Sequence, residues 1–218
     1  MQVKDSATRR EIEARLPNIG DYVKMDYLSA CLKKSLDFDT KKFVLLKLSE
    51  IYESHKMYLE AGKLLRVAAE INTTFEGKMQ DFMKSSDLYI KGGNFDEAEI
   101  SYTKALACSS GAQKERLRVR RKEAYKLYAQ ECVSKDKRKH AMGAYQRYLS
   151  IHELTQQERR EVQILLLTLY EKLGKIVEYN GLKRIMLQPA QSPQPLTEKK
   201  SSFSYNVRSS ICTSLRSC

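Results

Sequence analysis

The stretch FMKSSDLYIKGGNFDEAEISYTKA, from Phe82 to Ala105, carries the pattern that decides the fold. Apolar and small side chains recur three or four residues apart on both sides of the polar break at Gly92-Gly93. Residues with that spacing share one face of an α-helix. The stretch therefore predicts two amphipathic helices that meet at a tight turn.

The same hairpin pattern recurs along the chain. It is found 37 residues earlier, at Leu45–Ala68, and 43 residues later, at Tyr125–Tyr148. A further copy follows 38 residues on, at Leu166–Met186, and a weaker one lies near the start, at Leu16–Leu32. One hairpin cannot cover its own apolar face, so in-phase copies predict stacked hairpins with a continuous core.

Small and large side chains alternate at fixed positions of the second helix of each copy. Ala61, Ala98 and Ala141 occupy one position, where a methyl group allows two helices to approach closely. Aromatic residues such as Phe95 and Tyr145 stand beside them and fill the space between helices. We expect these alanines to be buried.

Turn and cap residues agree with this interpretation. Gly20, Gly93 and Gly174 stand where each hairpin turns, a place at which a positive φ favours glycine. Capping boxes, in which a hydroxyl residue and an acid or amide three residues later cap a helix, are expected at the junctions between copies. They are Thr73 with Glu76, Ser110 with Gln113, and Thr155 with Glu158.

The hairpin pattern resembles the tetratricopeptide repeat. The residues that carry the resemblance are Tyr89, Gly93, Phe95, Ala98 and Tyr102, and it covers about residues 6–187. The spacings of 36 to 43 residues exceed the family's usual 34. The resemblance implies an all-α, right-handed solenoid of stacked antiparallel hairpins, with four full hairpins and a degenerate N-terminal one.

The resemblance also implies a binding site. Members of the family bind a peptide or a helix in a concave groove lined by the first helix of each pair. Carried over to this chain, the partner-binding residues are Phe43, Lys47, Glu50, Lys84, Asp87, Lys91, Lys126, Gln130 and Thr168. The family's clamp for a C-terminal carboxylate needs asparagine where Glu50, Asp87, Gln130 and Thr168 stand here, so we do not expect that ligand.

The net charge of +12 is concentrated around residues 111–140, which hold eleven basic and four acidic residues. The candidate basic patch comprises Arg116, Arg120, Arg121, Lys137, Arg138 and Lys139. A basic cluster can neutralise nucleic-acid phosphates or bind an acidic protein. It can equally form a solvated helix face, because these residues point in several directions around a 3.6-residue turn.

No catalytic motif, phosphate-binding glycine loop or metal-ligand spacing occurs in the sequence, so no enzyme activity, cofactor or metal is expected. No apolar run approaches the roughly 20 residues that a bilayer requires, and the cysteine pattern favours a reducing cytoplasm. Residues 1–188 are expected to form the repeat domain, and residues 189–218 a disordered, Ser- and Pro-rich basic tail.

These patterns favour a non-enzymatic scaffold or adaptor that binds a protein or peptide in its groove. Two alternatives remain open. One is a nucleic-acid-associated protein that uses the basic hairpin around residues 114–139, and the other is a non-catalytic subunit of a larger enzyme complex.

Overall fold

A computed structural model of the protein describes residues 8–187, which contain ten α-helices, one short 3-10 turn and no strand. The helices are α1 (Arg9–Arg15), α2 (Asp21–Leu32), α3 (Phe38–Ser54), α4 (Tyr58–Ile71), α5 (Phe75–Lys91), α6 (Phe95–Ala107), α7 (Gly111–Ser134), α8 (Arg138–Leu149), α9 (Gln156–Lys172) and α10 (Ile176–Leu187). The predicted all-α fold is confirmed. The predicted tail, residues 189–218, lies outside the described residues.

Helices that are adjacent in sequence pack against each other. The contacts run from α2 to α6 and again from α7 to α10, with a smaller one between α6 and α7. In addition, α5 touches α7, and α1 touches α3. The helices therefore form the consecutive array that is expected of a helical solenoid.

One turn geometry recurs within the four pairs α3–α4, α5–α6, α7–α8 and α9–α10. The residues with positive φ are Lys56 (60°), Gly93 (75°), Asp136 (53°) and Gly174 (66°). In the first turn the N–H of the next residue, Met57, donates to the carbonyl of Tyr52 at 2.8 Å, and the other three turns make the same bond. This is the left-handed helix end that satisfies otherwise unpaired carbonyls.

Two of the turn and cap predictions are wrong. Gly20 has φ −72° and is the N-cap of α2, so no left-handed turn forms there. Thr74, not Thr73, caps α5, because its hydroxyl accepts the N–H of Gly77 at 3.1 Å. The helix begins one residue later than the predicted box with Glu76 requires. The predicted boxes at Ser110 and Thr155 are confirmed.

The predicted alanine positions are confirmed as core. Ala61, Ala98 and Ala141 are completely buried. The approach of the paired helices is close enough that Ser49 donates its hydroxyl to the carbonyl of Ala61 at 3.1 Å, and Ser86 to that of Ala98 at 2.9 Å. The repeated small residues thus set the distance between helices, as the pattern indicates.

None of the described helices combines the length and the apolarity needed to cross a membrane.

Candidate functional site

Two cavities accompany the first helices of the pairs, where the groove was predicted. One of 360 Å³ lies between α1 and α3, and Phe43, Lys47 and Glu50 line it. The other, of 260 Å³, lies between α5 and α7, and Asp87 and Lys91 line it. The structure thus brings these predicted groove residues together in two groups.

The other predicted groove residues lie outside these two cavities. Lys84 belongs to α5, and its ammonium lies 3.8 Å from the carboxylate of Glu53 on α3. Lys126, Gln130 and Thr168 are exposed on α7 and α9. Thr168 donates its hydroxyl to the carbonyl of Ile164 at 3.2 Å, a bond within its own helix.

The rim of the cavity between α5 and α7 is an ion pair. Arg120 of α7 donates to Oδ2 of Asp87 from Nε at 3.0 Å and from Nη2 at 2.6 Å. Oδ1 of Asp87 is buried, and no described atom donates to it. Burial raises the pKa of the Asp87 carboxyl, against the opposing effect of Arg120. The rim therefore combines the Arg120–Asp87 ion pair with one buried carboxylate oxygen that accepts no hydrogen bond from a described residue.

The wall of this cavity is apolar. It is formed by Ile90 from α5 and by Ala124, Leu127 and Tyr128 from α7. Ile90 is buried, whereas Leu127 is 65% exposed. Leu127 was not identified from the sequence, although it stands apart from the buried positions Tyr125, Ala129 and Cys132 of its own helix. Its position off the buried face of α7 is the sequence feature that would have predicted its exposure.

The cavity between α1 and α3 and the contact between α3 and α5 also combine charged and apolar side chains. The guanidinium of Arg9 lies 4.8 Å from the centre of the Phe43 ring. Lys47 pairs with Glu50 at 2.9 Å on the same helix. Lys91 of α5 donates to Glu53 of α3 at 3.2 Å, so it holds the two helices together.

The basic residues of α7 contact acids on several other helices. Arg120 pairs with Asp87 of α5, as described above, and Lys122 pairs with Glu158 of α9 at 2.8 Å. Arg121 donates to both carboxylate oxygens of Glu99 on α6, at 3.1 and 2.5 Å. These three consecutive residues therefore join α7 to three different neighbours.

Arg121 belongs to a half-buried network. Its guanidinium lies 4.5 Å from the centre of the Tyr102 ring, and only 14% of its side chain is exposed. Tyr125 donates its hydroxyl to the same Glu99 at 2.7 Å. Burial, together with the charge of Glu99, raises the pKa of the Tyr125 hydroxyl. Arg121 therefore links α7 to α6 through Glu99 and Tyr102.

The remaining members of the candidate basic patch are separated along the fold. Arg116 is exposed in the first half of α7, while Lys137 and Lys139 are exposed at the turn into α8. Arg138 pairs with Asp136 at 2.7 Å. From Arg121 to the end of α7 at Ser134 is 13 residues, or roughly 20 Å along the helix, and Lys137 lies beyond that end. The structure does not assemble the six residues into one patch.

No group of histidine, cysteine, aspartate and glutamate side chains among residues 8–187 is arranged to hold a metal ion.

No family model and no curated protein matches the chain. Among solved structures the fold is similar to that of BtubC (BKLC) from P. vanneervenii, with 15% sequence identity over 95% of this chain and 85% of that chain. The TM-score of this match is 0.36.

Proposed function

We propose that this protein is a non-enzymatic scaffold or adaptor. It binds a segment of another protein on the face formed by α3, α5, α7 and α9. On this proposal the helices form a right-handed, tetratricopeptide-like solenoid in the cytoplasm, with four full hairpins and a degenerate N-terminal one. The identical turn within each of the four pairs supports the repeat.

The observation that carries the proposal is the cavity between α5 and α7. It combines an exposed leucine, Leu127, with the ion pair of Asp87 and Arg120 at its rim. An apolar side chain of a partner that enters it would bury surface on both sides, which is the main driving force of association. The charged rim would bind the polar groups beside that side chain.

The rest of the array supplies rigidity. Ion pairs of Lys91 with Glu53 and of Arg120 with Asp87 join α5 to α3 and to α7, and α5 also packs directly on α4, α6 and α7. A platform that is ordered before binding loses little conformational entropy. The cost of ordering then falls on the partner segment alone.

The test starts from the immobilised full chain and a displayed library of random peptides. We expect the chain to enrich a family of sequences with an apolar residue in common. The affinity of an enriched peptide should fall about tenfold or more in Leu127→Glu, as measured by fluorescence anisotropy.

The matched control is Val133→Glu, on the same helix. Val133 is 48% exposed and lines none of the cavities described here, so its substitution should leave the affinity unchanged. If the unmodified chain enriches no peptide, or if both variants weaken binding equally, the proposed function is wrong.

A separate experiment tests the nucleic-acid alternative. Because Arg120, Arg121 and Lys122 are paired with carboxylates, we expect only weak RNA binding in a filter assay at physiological salt. Tight binding that falls steeply with salt, and that Leu127→Glu does not change, would favour that alternative.

A further inference from the structure

A third cavity, of 390 Å³, lies where three helix turns meet, and we call it the turn cavity. Its basic side chains come from different turns: Lys56 from the α3–α4 turn, Lys91 from the end of α5, and Lys135 and Lys137 from the α7–α8 turn. These residues are up to 81 positions apart in the sequence, so the fold gathers them. The volume lies within the range of small-molecule sites, which is about 300–1,000 Å³.

Three of these lysines interact electrostatically with one carboxylate, that of Glu131. Glu131 also lines the turn cavity and is hydrogen-bonded to Lys135. That bond is the largest cause of a lowered pKa of Glu131, and the charges of Lys135, Lys91 and Lys137 add to it. The lysines thus converge on the place where this carboxylate lies.

Positive charge exceeds negative charge in the turn cavity. Glu60 and Glu131 are the two carboxylates among its lining residues, against four lysines, of which Lys91 also pairs with Glu53 outside the lining. Among the described residues, neither Lys56 nor Lys137 has an ion-pair partner. Both side chains are exposed, and an unpaired ammonium group attracts an anion more strongly than a paired one.

Helix ends of both kinds meet at the turn cavity. The first turn of α4 and the start of α8 line the turn cavity, and their N-caps, Met57 and Lys137, make no side-chain cap. In α6, by contrast, Asn94 accepts the N–H of Glu97 at 3.3 Å. Uncapped N–H groups at a helix start carry a partial positive charge. The C-terminal ends of α5 and α7, at Lys91 and Lys135, also line the cavity and carry the opposite partial charge, so the excess positive charge of the site comes from the lysines.

We propose that the turn cavity binds a small multivalent oxyanion of the pyrophosphate or polyphosphate class. Lys91, Lys135 and Lys137 are its ligands, and the anion takes over the hydrogen bond that Lys135 now makes with Glu131. The site does not depend on peptide binding by the cavity between α5 and α7, although the two cavities adjoin and share Lys91, Tyr128 and Glu131.

The experiment is a calorimetric titration of the full chain with pyrophosphate at low ionic strength. We expect one site per chain, and a roughly fivefold weaker affinity in Lys137→Gln because one charge-assisted contact is lost. Glu131→Gln should tighten binding by a similar factor, since it removes the carboxylate that competes for the lysines. A purely structural role of Glu131 would not produce that gain.

The control is Lys114→Gln, at the other end of α7. Lys114 is exposed and is 21 residues, or roughly 30 Å, from Lys135, so its removal changes the net charge but not the turn cavity. Circular dichroism establishes that each variant is folded, and Lys91→Gln provides a second loss-of-ligand variant.

Several results would overturn the proposal. They are no detectable binding of pyrophosphate, an equal loss in Lys114→Gln and Lys137→Gln, or weaker binding in Glu131→Gln. A phosphoserine peptide and inorganic phosphate are titrated in parallel. Tighter binding of the peptide than of pyrophosphate would assign the cavity to phosphorylated protein instead and would equally refute the small-anion site.

Discussion

The α5–α6 and α9–α10 hairpins share a turn but differ in packing. Eight of the 17 residues of α5 are buried, whereas none of the 12 residues of α10 is. The residues in register explain this, since Ser86 and Ala98 in α5–α6 correspond to Leu167 and Tyr179 in α9–α10. A hydroxyl and a methyl group permit a close approach, and two bulky side chains prevent it. Turn geometry and helix packing are therefore encoded by separate residues.

The position of each hairpin in the array adds to the difference. Helix α5 is covered by α4, α6 and α7, whereas α10 packs on α9 at the end of the described residues. Apolar side chains on α10 remain exposed as a result, among them Val177 at 83% and Leu187 at 75%. In a solenoid each unit is stabilised by its neighbours. Mutations in a unit that packs on one side only are therefore expected to cost less stability.

The largest expected difference between the two hairpins is at their tyrosines. Tyr89 is fully buried, and Tyr89→Ala should lower the free energy of unfolding by about 3–5 kcal/mol, the usual cost of deleting a buried aromatic ring. Tyr179→Ala in α10 should cost roughly 1 kcal/mol, because its ring is only partly buried. Urea unfolding followed by circular dichroism measures both, and equal costs would contradict the comparison.

A conservative change at the same site sharpens this result. The hydroxyl of Tyr89 is buried and has no hydrogen-bond partner among the described residues. Tyr89→Phe keeps the ring and removes the unsatisfied group, so it should not destabilise the protein and should stabilise it by up to about 1 kcal/mol. A clear loss of stability would show that the hydroxyl is hydrogen-bonded in solution.

The next effect concerns the close approach itself. Ala98→Leu should overpack the contact with α5 and cost about 1–3 kcal/mol. Tyr179→Leu, at the corresponding position of α10, should cost less, because no close contact depends on that residue. The same unfolding experiment compares them, and an unchanged stability of Ala98→Leu would mean that the pairing of α5 with α6 is wrong.

Ion pairs should show the same contrast at a smaller scale. Glu99→Gln leaves the charge of Arg121 uncompensated between α6 and α7, and should cost about 1–2 kcal/mol. Glu178→Gln in α10 breaks only an exposed pair with Lys175 and should leave the melting temperature unchanged. A measurable loss of stability in Glu178→Gln, with none in Glu99→Gln, would contradict the comparison.

The core positions could be predicted from the sequence because they depend on local spacing. Ala61, Ala98 and Ala141 recur at fixed distances from each turn, and a helix converts that spacing into one face. The left-handed residues Lys56 and Asp136 could not be found in this way, because sequence reasoning looked for glycine. There the hydrogen bonds of the turn outweigh a backbone cost of roughly 1–2 kcal/mol.

The candidate sites were harder to predict because they depend on how the helices are rotated against one another. Arg120 and Arg121 find their carboxylates 33 and 22 residues away, on α5 and α6. A repeat pattern indicates which face of α7 is buried, but not which acid a long side chain reaches. The turn cavity was missed for the same reason, since its lysines come together only when three turns stack.

The smallest expected effect, and the most direct probe of the comparison, is a pair of helix glycines. Gly62 in α4 is buried, and a Cβ there would lie 3.3 Å from three ring atoms of Tyr89. Gly181 in α10 has nothing within 4 Å of its added Cβ. Gly181→Ala should therefore stabilise the protein by roughly 0.5–1 kcal/mol, because alanine is the better helix former.

Gly62→Ala gains the same helix propensity but meets a ring that cannot move away. Since Tyr89 is itself almost completely buried, we expect the crowding to exceed the gain and the variant to be slightly destabilised. The two melting temperatures should thus move in opposite directions. If both rise equally, the Tyr89 ring has room to shift, and the tight packing that distinguishes the second hairpin from the last is weaker than the burial indicates.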